Sequence, residues 1–543
     1  MKHDYTPKES EPQCLKKWEI NATRSPSSKK KKYIVEMFPY PSGHLHMGHV
    51  RNYSIGDVMA RFYRMDGYDV VHPMGFDSFG LPAENAAIDH NVSPLDWTES
   101  NIKTMKRQLN RLGFDYDWDR EISTSRPSYY RWNQWLFKRL YDAGLVYRKK
   151  GLVNWDPVDK TVLANEQVVD GKGWRSGALI EKKEIVQWYI KITQYADELL
   201  DGLTQLDDWP DRVKNMQQQW IGKTHGTIVS FDVTDTHGNP IPHTSIRVFT
   251  TRPDTLMGAT YVCLAPEHPM MDSLLPHTIN AADCQSYIQS ALLQHALDRG
   301  DPAKEKTGVM TGLMAIHPIT NESLPIFIAD YVLTDYGTGA VMAVPAHDER
   351  DHAFAKKYNL PFIHVIYHPD HDIDHAAYTG DGVLIHSGEF NDLDNATAKT
   401  RITDYLKRIG HGQTVDQFRL RDWLISRQRY WGTPIPIVYD DARNPTCLDD
   451  QDLPVRLPND VQFNNQGNPL DHSDSFLSLE IDGQSFSRET DTMDTFFDSS
   501  WYFMRYLDAT NDTHPFSSDT INHYLPVDIY IGGIEHALSL IHI

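Results

Sequence analysis

The sequence has 543 residues, of which 40% are hydrophobic and 23% charged. It is long enough for about three to five domains and too apolar to be disordered throughout. Its 53 basic and 74 acidic residues give a net charge of −21 with histidine neutral, which excludes a protein that coats nucleic acid through an overall basic surface. Any nucleic acid would therefore bind locally.

The cysteines and the N-terminus indicate the compartment. Four cysteines are scattered along the chain without a CxxC pair, which argues against a disulfide framework and against a thiolate zinc site. The first residues lack the apolar core of a signal peptide, and no apolar run approaches the roughly 18 residues that span a bilayer. We therefore expect a cytoplasmic protein that has no membrane segment.

The first elements along the chain predict a βαβ unit. Residues 11–20 predict a short amphipathic helix, and residues 33–38 (YIVEMF) a buried strand. A turn-rich loop follows, and helical spacing then begins at Val50 and predicts a helix that ends at Gly67. Residues 69–74 predict the next strand. Such a crossover requires parallel strands, so we predict a doubly wound α/β fold that binds its ligand at the carboxyl ends of the strands.

The rest of the chain predicts an insertion into this fold. Another helix is expected from Trp132 to Leu145, and an irregular knob at about residues 150–185. From about Thr224 short β-like runs alternate with turns, which indicates a mainly β module. Helical material near Arg419 and a second buried strand at residues 435–439 (IPIVY) would return to the first fold. The predicted domains are 1–222, 223–416 and 417–543.

The motif His46-Met47-Gly48-His49 stands where the first strand leads into its helix. Two imidazoles at positions i and i+3 share a helix face, and a helix start attracts anions. Gly48 would let a ligand lie against the backbone. Such a site would hold a triphosphate while its α-phosphate is attacked. The alternative is a capped helix with two surface histidines, and this four-letter motif alone favours that interpretation.

The surrounding segments resemble the first half of a class I aminoacyl-tRNA synthetase, and more narrowly a bacterial leucyl-tRNA synthetase. The resemblance lies in residues 37–53 (MFPYPSGHLHMGHVRNY) and 75–85 (GFDSFGLPAEN), and it continues over nearly the whole chain through residues 154–155, 163–168, 250–255, 337–351, 421–423, 426–432 and 530–536. It implies a Rossmann-like catalytic domain with a β editing insertion. It also implies a monomeric leucine-tRNA ligase that uses ATP and Mg²⁺, and that acts on leucine and tRNA(Leu).

The resemblance assigns roles to individual residues of the catalytic domain. The motif residues His46, Gly48 and His49 would act on the ATP phosphates, and Asp77 would hold the α-ammonium group of leucine. The adenosine of ATP would bind a loop made of Gly532, Gly533, Glu535 and His536. The apolar wall around the leucine side chain would consist of Met37, Phe38, Tyr40 and Tyr502.

The inserted module resembles the editing domain of the leucine, isoleucine and valine enzymes. One displaced methyl group changes binding in an apolar pocket by only about 1 to 3 kcal/mol, so errors need a second, hydrolytic site. The resemblance places Asp348, Asp351 and the hydroxyl-rich segment Thr250, Thr251, Arg252 and Thr255 there, with Thr255 excluding leucine and Asp351 binding the α-ammonium group. Alternatively, Asp348 caps a helix and Asp351 lies in its first turn. Both interpretations can hold.

Two regions depart from the family. Where many relatives have zinc-binding cysteines, this sequence has Asp156, Lys172, Gly173 and Ser176, so we predict no zinc in the knob. At the other end, Leu540 replaces a histidine of the leucine pocket, and the residues from 538 onward are predicted to be a truncated or wrong-frame tail. The lysine-rich KMSKS-type loop, the anticodon-stem domain and the C-terminal domain have no counterpart in the sequence.

Four hypotheses follow. The chain is a leucine-tRNA ligase, or a fragment that only hydrolyses mischarged tRNA, or an inactive remnant that binds tRNA or a partner. The fourth, a small-molecule nucleotidyltransferase, is opposed by the long β insertion and by the SRQRYWG segment. The motif MFPYPSGHLHMGH disfavours the related isoleucine and valine enzymes. The run Lys29–Lys32 is interpreted as a solvated linker rather than a contact to tRNA phosphate.

Overall fold

A computed structural model describes residues 6–21, 30–158, 161–163, 168–169, 171–173, 176–292, 299, 304–334, 337–368, 376–461 and 467–542. Lys29, residues 164–167 of the resemblance and parts of the predicted knob lie outside these residues. The helices are α1 (Pro7–Asn21), α2 (Met47–Met65), α3 (Leu81–Asp89), α4 (Pro94–Leu112), α5 (Pro127–Asp142), α6 (Ala196–Leu203), α7 (Asp211–Ile221), α8 (Met271–Leu274), α9 (Ala281–Leu292), α10 (Glu349–Tyr358), α11 (Asn395–Arg408), α12 (Asp474–Leu477), α13 (Thr495–Ser499), α14 (Tyr502–Arg505), α15 (Ser518–Tyr524) and α16 (His536–His542).

Short strands are spread over the whole described chain. They are β1 (Lys31–Glu36), β2 (Asp69–Val71), β3 (Gly75–Phe76), β4 (Ile122–Ser123), β5 (Val146–Asp156), β6 (Thr161–Leu163), β7 (Val168–Val169), β8 (Lys172–Gly173), β9 (Glu181–Ile190), β10 (Thr224–Thr234), β11 (Pro240–Thr250), β12 (Tyr261–Leu264), β13 (Gly308–Ile316), β14 (Ser323–Ala329), β15 (Ala340–Ala343), β16 (Ile366–Tyr367), β17 (Val383–Leu384), β18 (Gly412–Gln417), β19 (Trp423–Leu424), β20 (Ser426–Arg427), β21 (Ile437–Tyr439), β22 (Pro445–Cys447), β23 (Ser478–Ile481), β24 (Gln484–Arg488), β25 (Thr492–Met493) and β26 (Ile529–Ile531).

The predicted βαβ unit is present. Strand β1 lies between β2 and β26 and pairs in parallel with both. Helix α2 makes the crossover from β1 to β2, and Gly56 faces β1 so closely that a Cβ atom would lie 1.6 Å from the Glu36 carboxylate. The Met37 amide donates to the Ile531 carbonyl at 3.0 Å. The loops that leave β1 and β26 therefore start side by side, at the carboxyl ends of parallel strands.

Of the two elements predicted for the return to this fold, the helix near Arg419 is wrong and the buried strand is confirmed. Near Arg419 the structure has no helix: β19 pairs with β9, and the alternation of buried Trp423 and Ile425 is that of extended chain. The apolar run at residues 435–439 does contain a buried strand, but it belongs to an antiparallel sheet of order β22-β21-β24-β23. A short apolar run does not encode which sheet it joins, because its pairing partners are distant in sequence.

The mainly β module is a seven-stranded sheet. Its order is β11-β10-β13-β14-β12-β15, and β18 pairs with the first half of β10, residues 224–229, while β13 pairs with its last residues. Since Thr224 is paired with Gln417, the chain enters and leaves the sheet at one point. Alternating residues of these strands, with α9 and α11, form an apolar core that includes Val229, Phe231 and Ile326. This connectivity is what an insertion into another fold requires.

The four cysteines are free: Cys14 is exposed, Cys447 is half-buried, and Cys263 and Cys284 are buried. Within the described ranges, no helix combines the length and apolar character needed to cross a bilayer.

Candidate active sites

The two motif histidines begin helix α2 as a reciprocal cap. The Nδ1 atom of His46 accepts the Gly48 amide at 3.1 Å, and Nδ1 of His49 accepts the His46 amide at 3.2 Å. Their rings stack with centroids 3.7 Å apart. Burial, and secondarily His46, lowers the pKa of His49, so its neutral ring carries the proton on Nε2 and keeps one N–H donor for a ligand. The two histidines therefore cap the helix, as the alternative interpretation predicted. The same arrangement leaves the Nε2–H group of His49 as a donor for a phosphate.

The predicted adenosine loop follows the neighbouring strand, β26. A Cβ atom on Gly532 would lie 3.6 Å from Cβ of Met37, and one on Gly533 would lie 2.3 Å from a carboxylate oxygen of Glu535. The His536 amide donates to the Gly533 carbonyl at 3.1 Å. Residues that are separated by almost 500 positions in the sequence thus lie at the ends of adjacent strands.

Three of the four residues predicted for the leucine wall are aromatic, and two of them stack on each other. The rings of Phe38 and Tyr502 are buried and stack at 4.1 Å, and the Tyr502 hydroxyl donates to the Tyr530 hydroxyl at 3.3 Å. The hydroxyl of Tyr40 accepts the Ala83 amide at 2.8 Å. Phe38 and Tyr502 belong to one apolar cluster. The structure brings these two together, while Tyr40 packs in a neighbouring cluster.

Asp77 follows β3 and is held by two hydroxyl groups. Ser499 donates to Oδ2 at 3.1 Å, and Thr124 donates to Oδ1 at 3.4 Å. Burial raises the pKa of Asp77 to about 7, against the lowering effect of these hydrogen bonds. A bound ammonium group would favour the charged form. Ser499 and Thr124 were not predicted from the sequence, although Ser499 stands in the polar DSS segment just before Tyr502.

A cavity of about 290 Å³ opens in the seven-stranded module. Its volume is that of a small-molecule pocket. All six residues predicted for editing line it: Thr250, Thr251, Arg252, Thr255, Asp348 and Asp351. Other lining residues, among them Tyr331, His347 and Arg350, were not predicted from the sequence.

The hydroxyl-rich side of this cavity is preorganised. The Thr250 hydroxyl accepts the Arg252 amide at 2.9 Å, and the Thr255 hydroxyl donates to the Arg252 carbonyl at 2.8 Å. The Arg252 guanidinium forms an ion pair with the fully buried Asp254, with N–O distances of 3.0 to 3.1 Å. Asn395 donates to the same carboxylate at 2.6 Å. The position of Arg252 is thus fixed by a buried partner.

The opposite side of the cavity contains the start of helix α10. Asp348 caps this helix by accepting the amides of Arg350 and Asp351 at 2.9 and 3.2 Å, so the predicted cap is confirmed. The Asp351 side chain is buried, and burial raises its pKa to about 7. His347 donates from Nδ1 to the Tyr378 carbonyl and accepts the Val365 amide on Nε2. Both ring nitrogens are used, so His347 is not a free base.

The knob residues do not fit a zinc ion. Asp156 is fully buried, accepts the Ser176 hydroxyl, and accepts the Val158 amide at 2.9 Å. A Cβ atom on Gly173 would lie 2.2 Å from Oδ2 of Asp156. One carboxylate and one hydroxyl that satisfy each other cannot replace four thiolate or imidazole ligands. Within the described part of the chain, no group of three or more His, Cys, Asp or Glu residues could hold a metal ion.

Comparison with known proteins agrees with this arrangement. The family model described as "tRNA synthetases class I (I, L, M and V)" matches residues 13–245 and 402–540, and "Leucyl-tRNA synthetase, editing domain" matches residues 218–407. The "Leucine-tRNA ligase subunit alpha" of Aquifex aeolicus is 48% identical over 99% of this chain and 89% of its own length. The chain belongs to the leucyl-tRNA synthetase family. Its predicted fold class, a class I synthetase fold split by an editing domain, is confirmed.

Other synthetases extend beyond the matched region. The leucine-tRNA ligase of Gloeobacter violaceus is 51% identical over 99% of this chain, which spans 64% of that relative's length. A crystal structure described as the ternary complex of Agrobacterium radiobacter LeuRS, tRNA and LeuAMS has a TM-score of 0.83 and 42% identity, and it covers 99% of this chain and 64% of that one. The chain thus spans about two thirds of the length of these two synthetases.

Proposed function

We propose that the chain acts as a leucine-tRNA ligase that activates leucine with ATP, transfers it to tRNA(Leu) and hydrolyses mischarged tRNA. The observation that carries this proposal is that the loop leading from β1 to the HMGH helix and the GGIEH segment after β26 start side by side, where the Met37 amide donates to the Ile531 carbonyl. The half-buried Asp77 adjoins the same loop, because its amide donates to the Pro39 carbonyl at 3.0 Å. Helix N-termini bind phosphate, and a fixed carboxylate binds an ammonium group. The two substrates of amino-acid activation would therefore meet at one edge of the sheet.

Activation needs an amino acid held in line with the α-phosphate of ATP. We assign Asp77 to the α-ammonium group, and Phe38 and Tyr502 to the apolar wall that contacts the side chain. The leucine carboxylate oxygen then forms a bond to the α-phosphorus, while the bond to the bridging oxygen breaks and pyrophosphate leaves. His46 and His49, at the start of α2, would stabilise the negative charge of the phosphates. Mg²⁺ bound with ATP would neutralise part of this charge.

Editing would take place in the 290 Å³ cavity. The threonine hydroxyls and Arg252 would bind the terminal adenosine and ester, Asp351 would bind the α-ammonium group, and Thr255, which is almost fully buried, would exclude leucine by its position. Water then attacks the ester carbonyl, and the tRNA hydroxyl leaves. The partners are therefore leucine, ATP and tRNA(Leu), and we expect a cytoplasmic monomer without zinc.

A second candidate is a deacylase that lacks ligase activity. It is favoured by the difference between the sites: every residue predicted for editing lines one cavity, whereas the predicted ATP segments lie on a parallel sheet of three strands with β26 at its edge.

Two assays on the same preparation test these candidates. Leucine-dependent exchange of pyrophosphate into ATP measures activation, and release of isoleucine from isoleucyl-tRNA(Leu) measures editing. Both activities support the ligase. Deacylation without exchange supports the second candidate, and the absence of both contradicts either enzyme function.

A further inference from the structure

The carboxylate of Asp351 is fixed at both of its oxygens. The Tyr331 hydroxyl donates to Oδ1 at 2.9 Å, and the Val344 amide donates to Oδ2 at 2.9 Å. All three residues line the cavity, and Asp351 is only 5% exposed. Each carboxylate oxygen can accept two hydrogen bonds. One acceptor site on each oxygen therefore remains for a ligand.

Tyr331 is itself rigidly held. It follows β14, is 5% exposed, and its ring packs against Phe354 with centroids 5.5 Å apart. Its hydroxyl lies 3.5 Å from the Tyr261 hydroxyl and 3.6 Å from the sulfur of Cys263. Neither neighbour is as strong an acceptor as a carboxylate. The hydroxyl therefore has one preferred partner, Asp351.

We propose that Tyr331 is a positioning residue of the editing site, which orients the Asp351 carboxylate toward the α-ammonium group of the mischarged amino acid. This inference rests on the proposed editing function. The Val344 donor belongs to the backbone, so Tyr331 supplies the one side-chain donor that the structure shows on this carboxylate. Without it, Oδ1 would lose its donor and the carboxylate could rotate about its Cβ–Cγ bond.

The charged groups around Asp351 define the expected pH behaviour. Its own helix contributes Asp348 and Arg350, strand β12 contributes Tyr261 and Cys263, and Tyr331 follows β14. Burial, and after it the charge of Asp348, raises the pKa of Asp351 to about 7, against the hydrogen bonds from Val344 and Tyr331 and the charge of Arg350, which lower it. Only the ionised form binds an ammonium group. Loss of the Tyr331 hydroxyl should therefore raise this pKa and move the acidic limb of the hydrolysis profile to higher pH.

The test is the pH profile of kcat/KM for hydrolysis of isoleucyl-tRNA(Leu) by the full chain. We expect Tyr331→Phe to move the acidic limb upward by about one pH unit, which is a roughly tenfold loss on the limb and little loss above it. The matched control is Tyr358→Phe, which removes a half-buried hydroxyl that donates to the Gly308 carbonyl and packs against the same aromatic cluster. This control should leave the acidic limb of the kcat/KM profile at the pH seen with the unsubstituted chain.

A second variant retains the hydroxyl and the packing. Replacement of Tyr331 by 3,5-difluorotyrosine makes the phenol a stronger donor, so the limb should move to lower pH. An unchanged limb in Tyr331→Phe, or in the difluorotyrosine protein if Tyr331→Phe does not fold, would overturn the positioning role. No hydrolysis by the unsubstituted chain at any pH would instead overturn the editing function, and the positioning role with it.

Discussion

The two candidate sites differ in how much of each is already in place without a ligand. The edge of the parallel sheet presents loops and helix starts, and His46 and Gly48 are exposed there. The editing cavity is instead bounded by residues whose polar groups are already paired, such as Arg252 with Asp254 and Asp351 with Tyr331. Residues on strand ends can adapt to a bound nucleotide, whereas a preorganised cavity discriminates through its fixed shape. This difference is consistent with the proposed activation of leucine at the first site and the proposed hydrolysis of mischarged tRNA in the cavity.

The largest effect is expected from Asp77→Asn. Loss of this half-buried negative charge should weaken leucine binding by about 100-fold, because a charge-assisted contact to the ammonium group is lost. Equilibrium dialysis with radiolabelled leucine measures this affinity. Asp441→Asn removes an exposed carboxylate in a turn and should bind leucine normally. Equal affinity of Asp77→Asn and the unsubstituted chain would show that Asp77 does not hold the ammonium group.

The packing of helix α2 on strand β1, which positions the first site, depends on Gly56. A Cβ atom there would lie 1.6 Å from the Glu36 carboxylate, which is buried and paired with His72 at 3.1 Å. We expect Gly56→Ala to reduce the free energy of unfolding by about 2 to 3 kcal/mol. Gly202→Ala, also in a helix but with no atom within 4 Å of the new Cβ, should be neutral or stabilising. Thermal unfolding measures the midpoint temperature of each variant. Equal midpoints for Gly56→Ala and Gly202→Ala would contradict the close contact between helix α2 and Glu36.

A smaller effect is expected at Gly48. Its Cβ would lie 2.9 Å from the His46 ring, so Gly48→Ala should displace this ring and weaken ATP binding by about tenfold. Calorimetric titration with ATP measures the affinity, with Gly202→Ala as the control. Unchanged affinity would exclude the His46 ring from the phosphate site.

The pH dependence of leucine binding gives the smallest expected change. Burial raises the pKa of Asp77 to about 7, and the ionised form binds the ammonium group. The ionised fraction falls about fivefold between about pH 7 and pH 6, so leucine affinity should fall by the same factor. In Asp77→Asn this dependence should disappear. Equilibrium dialysis measures leucine affinity over this pH range. An affinity that rises toward acidic pH would contradict the assignment of Asp77 to the ammonium group.

The sequence predicted local features well and long-range partners poorly. The βαβ unit follows from hydrophobic patterns within each element and the Asp348 cap from one residue before a helix, and both are present. The buried strand in residues 435–439 is present as well, but a short apolar run does not show that it pairs with β24, about 50 residues further on. Tyr331 was missed because its hydrogen-bonding partner Asp351 lies 20 residues away in the sequence, and no helix or strand period connects the two. The six editing residues were predicted from the family resemblance rather than from spacing.

The central claim is that one chain holds two chemically independent sites, one for leucine and one for mischarged tRNA. The most direct test measures leucine binding and isoleucyl-tRNA(Leu) hydrolysis in Asp77→Asn and Asp351→Asn side by side. The account predicts that Asp77→Asn loses leucine binding and retains hydrolysis, and that Asp351→Asn shows the reverse. If either substitution abolishes both activities in a folded chain, the two sites are not independent and the account is wrong.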